Sequence, residues 1–161
     1  MACEEIQTQN PSADERGASG GSLFKTPLSA KALVRKAEYR VARALPRRLT
    51  ETVLAQEVGI SVEVLRSAFA HVYGASIYRS LLKLRVRLVD RALGANSDLD
   101  PRTIAEVCGF GYFGRFHQLY RRDTGRVPSL NPRRASCPEG LRDARAALAE
   151  TVDQYFSEQL A

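Results

Sequence analysis

Ile104-Ala105-Glu106-Val107-Cys108-Gly109-Phe110 repeats, at an offset of 50, the pattern of Leu54-Ala55-Gln56-Glu57-Val58-Gly59-Ile60. Past the glycines the offset becomes 51, with Leu65, Phe69 and Gly74 recurring as Phe116, Tyr120 and Gly125, so the second copy has one residue inserted in its turn. Each copy reads as a short helix, a glycine turn and a longer helix with apolar anchors four residues apart, which is the layout of a helix-turn-helix. The alanine inside each first helix suits two helices that cross closely. A generic helical hairpin repeat would share this spacing, but it has no need of basic charge around the copies.

Outward from the repeat the periodicity stays helical. Upstream, Leu33, Ala37, Val41, Ala44 and Leu45 predict a helix over 33–45, stopped by Pro46. Thr50 and Ser61 are expected caps for the two helices of the first copy, ending at Gly59 and Gly74. Ser76 opens a long helix whose Ile77, Leu81, Leu84, Leu88 and Ala92 make one stripe, ending near Gly94 and Asn96. Asp100-Pro101 starts the short helix of the second copy. No segment alternates with a period of two, so the expected class is all-α.

The charge is distributed unevenly. Residues 31–134 hold 20 Lys+Arg against 9 Asp+Glu, a charge of +11, while 1–30 carry −2 and 135–161 carry −3 of the formal +6. A basic body between acidic ends has the electrostatic footprint of a polyanion binder. A solvated basic face is the plainer reading of charge alone. Cys3, Cys108 and Cys137 are odd in number and form no ligand-spaced pair, which argues against a disulfide framework, a zinc site or any bound metal. The amino terminus has no signal-peptide pattern and no segment approaches a membrane span, so the expectation is a cytoplasmic protein with no membrane partner.

The residues from Ile104 to Ser129, with Ile-Ala, Gly-Phe, an aromatic anchor and then Gly125-x-x-Pro128, closely resemble the signature of AraC/XylS-type transcription regulators. The first copy resembles the amino-terminal half of that domain through Leu54, Ala55, Gly59, Ser61, Leu65, Phe69, Gly74, Ser76 and Arg85, so the resemblance covers about 32–134. It implies two homeodomain-like helix-turn-helix subdomains joined by a long linker helix, each placing its second helix in a major groove of double-stranded DNA. The 19 residues from Ile77 to Ala95 make a helix of roughly 28 Å, comparable to the ~34 Å between successive major grooves on one face of B-DNA.

By the family's pattern, base-facing positions fall on Glu63, Arg66 and Ser67 in the first copy and on Phe113, Gly114, His117 and Gln118 in the second. Arg66 can donate twice to guanine, Gln118 can pair with adenine, and Glu63 can accept from cytosine. Phe113 can meet a thymine methyl or pack in the core. Ser67 and Gln118 stand where many members of the family have Arg, which bears on the sequence read. Phosphate contacts are expected from Arg47, Arg48, Arg79, Lys83, Arg121 and Arg122.

The resemblance thus implies a bacterial, sequence-specific regulator that binds as a monomer and contacts RNA polymerase or another partner. The alternative is a degenerate AraC-like fragment acting as a protein-interaction module or non-specific DNA binder. Residues 1–30 read as a flexible arm too short and polar to be an effector-binding domain. Residues 135–161 read as an amphipathic helix that uses Leu141, Ala144, Leu148, Val152, Tyr155 and Phe156 to pack on the domain or to make a dimer. An enzyme is not expected. Cys3 invites comparison with alkyl-repair proteins, but lacks their cluster of metal-bound cysteines, and no cofactor is implied.

Overall fold

The computed structural model describes residues 27–128 and 138–159. They form α1 (Pro27–Ala44), α2 (Glu51–Val58), α3 (Val62–Tyr73), α4 (Ile77–Ala95), α5 (Pro101–Val107), α6 (Phe113–Thr124) and α7 (Pro138–Glu158), with no strand among them. The protein is all-α, as the periodicity predicts.

The repeat is realised atom by atom in the two turns. Ile60 N–H reaches back to the Ala55 carbonyl and Phe110 N–H to the Ala105 carbonyl, both at 3.0 Å. This bond across six residues, with a left-handed glycine before it, is the Schellman way of closing a helix. Gly59 and Gly109 adopt it with φ of +84° and +83°. After the turn the copies diverge: the Ser61 hydroxyl accepts from Val64 N–H, whereas Tyr112, one position later in its copy, makes no side-chain cap. Gly111 is the inserted residue that separates the two registers.

Thr50, Ser76 and Asp100 cap α2, α4 and α5 with side-chain oxygens. Leu65, Phe69, Phe116 and Tyr120, the paired anchors, are all buried, as are Ala55 and Ala105 at the helix crossings. The predicted α4 stripe is buried, and so are Val86 and Val89 beside it, because α4 packs against α3, α5, α6 and α7 together. Cys108 is wholly buried, and burial pushes its thiol up to about 12.

Both ends differ from the expectation or sharpen it. Helix α1 begins at Pro27, inside the stretch expected as an arm over 1–30, and Ala30 is fully buried. Proline's fixed φ suits a first helical turn, so the polar run gives way to structure earlier than its composition implies. The rest of that arm, 1–26, lies outside the described residues, as does the expected boundary at 134/135. Helix α7 lies against α1, α4 and α5, burying Ala144, Leu148, Val152, Tyr155 and Phe156. The face weighed as a dimer contact is therefore covered by its own chain.

Polar side chains, some of them buried, tie the longer helices together. Tyr73 Oη, at the end of α3, donates to Glu38 Oε1 of α1 at 2.7 Å. Tyr120 Oη of α6 donates to Asp90 Oδ1 of α4 at 2.6 Å, and Arg126 donates to the same oxygen at 2.6 Å. Burial raises the Glu38 carboxyl above its ordinary value, against the opposing pull of the Tyr73 bond and of Arg87 and Arg35.

Candidate nucleic-acid interface

The inner face of α3 is fixed by Leu65, Ala68 and Phe69, all fully buried, so Glu63, Arg66, Ala70 and His71 are left exposed. Ser67 is half-buried beside them. Two of the three predicted reading residues already have partners. Arg66 Nε donates to Glu51 Oε2 of α2 at 2.7 Å. Glu63 lies in the first turn of α3, where its own backbone N–H and the Ser61 hydroxyl hold its carboxyl below the ordinary range. A guanidinium anchored at Nε still presents its two terminal nitrogens, the pair that meets guanine O6 and N7.

In α6, burial of Phe116 and Tyr120 leaves Arg115, Gln118, Arg121 and Arg122 exposed and His117 half-buried. Phe113 goes to the core side. It packs on Phe116 with ring centroids 5.5 Å apart, and Arg102 lies over its other surroundings at 5.3 Å from the ring centroid. The partly buried ring is therefore held inward by Phe116, which supports the packing role for Phe113. Gly114 has a local reason of its own: a Cβ there would lie 2.7 Å from the Tyr112 ring, which covers the first turn of α6.

The six predicted phosphate-contacting cations are all exposed and fall into two sets. Arg47 meets Glu57 at 3.8 Å, Arg122 meets Asp123 at 2.7 Å, and Arg48 donates to the Gly109 carbonyl at 3.2 Å. Arg79, Lys83 and Arg121 make no side-chain hydrogen bond or ion pair with the described residues.

Sequence reasoning missed Tyr78 and Arg115, which lie between the two copies. Arg115 donates to Tyr78 Oη at 2.7 Å, linking the first turn of α6 to the first turn of α4. Together with Arg48, Arg85 and Tyr112 these residues line a cleft between α2, α4 and the turn before α6. Periodicity marks Arg115 as one turn from Gln118, but no spacing rule joins positions 48, 78, 85 and 115. Among the described residues no group of His, Cys, Asp and Glu could hold a metal, and no helix is long and apolar enough to cross a membrane.

Helix pairs closed by one glycine turn, with a polar outer face on the second helix, have the layout of a helix-turn-helix domain. Residues 54–131 match the family model described as a helix-turn-helix domain. That match supports an AraC/XylS-type DNA-binding domain, which is a regulator domain and not a catalytic one. No curated protein and no solved structure matches the chain.

Proposed function

We propose that the chain is a sequence-specific transcription regulator that lays α3 and α6 in successive major grooves of duplex DNA, with α4 as the spacer. The single observation that carries this reading is that the family match spans both helix pairs, whose second helices turn polar faces outward, that of α6 basic. Glu63, Arg66 and Ser67 read one groove. His117 and Gln118 read the other, with Gly114 beside them, while the cations at 47, 48, 79, 83, 121 and 122 hold the backbone. The protein acts in the cytoplasm as a monomer on DNA and contacts RNA polymerase.

Selection from random duplexes at moderate salt tests this reading, and an enriched motif with two half-sites is expected. Arg66→Ala then relaxes preference at one position by about 1–3 kcal/mol, whereas Arg121→Ala weakens all sequences alike. Uniform losses in both variants would falsify the division of roles.

A second reading has specific support. Ser67 and Gln118 both stand where many members of the family have Arg. These features favour a non-specific binder, for which the same selection returns salt-sensitive binding and no motif.

A further inference from the structure

One group of cations is gathered by the fold without matching acids. The cleft between the start of α2, the first half of α4 and the turn before α6 has a volume of about 430 Å³. Arg48, Arg85 and Arg115 reach it from three separate segments, and Tyr78 and Tyr112 flank it. Its one acid, Glu51, is already held by Arg66 at 2.7 Å.

Two of the guanidiniums are fixed by neutral partners. Arg48 donates to the Gly109 carbonyl at 3.2 Å and Arg115 to Tyr78 Oη at 2.7 Å, which uses one of five N–H groups in each. The third is incomplete. Arg85 Nε is buried and has no hydrogen-bond partner among the described residues. Burial first, and then repulsion from Arg48, hold the Arg85 guanidinium below its ordinary pKa. A buried donor without an acceptor, next to a like charge, is costly in the ligand-free protein. An anion between the two guanidiniums offsets the repulsion and the charge burial.

We propose that this cleft is a binding site for a phosphoryl group, held by Arg48, Arg85 and Arg115. Three forks arriving from three directions suit an anion with oxygens in more than one plane, whereas a carboxylate presents two oxygens in a single plane. Leu81 and Phe110 in the wall keep part of the site dry, which strengthens charge-assisted hydrogen bonds.

The same chemistry has two sources, a phosphate of the duplex backbone or a small phosphate-bearing molecule. The first rests on the DNA-binding reading. The Glu51 wall connects to Arg66 on α3, and Arg115 lies one turn from Gln118 on α6. A duplex spanning both helices passes this cleft.

The test follows the arginine Nε–Hε signals by NMR in the full chain, free of DNA, during titration with inorganic phosphate against chloride at equal ionic strength. The expected result is a saturable shift of Arg48, Arg85 and Arg115 with one common dissociation constant. Replacing the exposed Arg115 by Gln (R115Q) weakens that constant about tenfold, the scale of one charge-assisted hydrogen bond. Arg142→Gln, on α7, leaves it unchanged. A uniform drift of all arginine signals, or equal behaviour in chloride, overturns the site. Adding duplex then separates the sources: phosphate that competes with duplex for these signals identifies the backbone, and signals unmoved by duplex identify the small molecule. If the chain binds no duplex, the DNA reading fails while the phosphate titration still decides the cleft.

Discussion

Gly59 and Gly109 share one backbone conformation and differ in what surrounds it. Both have φ above +80°, a region where a Cβ is strained by about 1 kcal/mol. A Cβ at Gly59 meets nothing within 4 Å, whereas one at Gly109 lies 3.2 Å from the Pro46 carbonyl oxygen. Gly109→Ala is therefore expected to destabilise more than Gly59→Ala. Urea unfolding of the two variants checks this, and equal midpoints would remove the backbone contact as a cause. Glu38 gives a second prediction, in pH. Its folded pKa is raised from 4.5, so its contribution to stability is fully present below that value and is lost as pH rises through the raised one. Glu38→Gln removes this dependence while keeping an acceptor for Tyr73. The stability difference, variant minus wild type, should grow as pH increases from about 4 to 8. A difference that stays flat with pH contradicts the account.

Elements in this protein owe their ends to local chemistry and their roles to packing. Thr50, Ser61, Ser76 and Asp100 each satisfy a first-turn N–H, so the starts of α2, α3, α4 and α5 are written in single residues. Helix α6 has no side-chain cap and relies on Tyr120, Arg126 and Arg115 to fasten it to α4. Helix α7 lies beyond the matched 54–131, yet its apolar face completes the core over α1, α4 and α5. Leu148→Ala, at a buried α7 position, is expected to destabilise by about 2–4 kcal/mol. Arg142→Ala, on its exposed side, should stay within about 0.5 kcal/mol. Denaturant unfolding of the whole chain tests the pair, and a small loss in Leu148→Ala would mean that α7 is a detachable extension.

For the molecule as a whole, the charge of +11 over 31–134 becomes a statement about salt. If all six expected cations meet phosphates, log K falls with log salt at a slope of about −5. The structure divides those six. Arg79, Lys83 and Arg121 have no carboxylate partner among the described residues, while Arg47 and Arg122 already hold Glu57 and Asp123. Arg121→Ala should reduce the slope by about 1, the value for one phosphate contact, and Arg47→Ala by less. Binding isotherms at several salt concentrations measure both. Equal reductions would show that the ion pairs open on DNA.

The repeat, the caps and the glycine turns were legible in the sequence because each is a local matter. A Schellman turn needs a glycine at one position, a cap needs one side-chain oxygen, and an amphipathic helix repeats its apolar residues every three or four positions. The outward faces of α3 and α6 follow from the same periodicity, while the roles expected of Arg66, Gln118 and Arg121 come from the resemblance to the family. Phe113 shows where this reading ends, since helical spacing cannot tell a ring turned inward from one turned to DNA. Tertiary structure alone decided that α7 covers the domain, that Glu51 takes Arg66, and that Arg48, Arg85 and Arg115 converge. The physical reason is common to all three: each depends on the angle and distance at which distant helices pack, and no residue spacing along one chain encodes that.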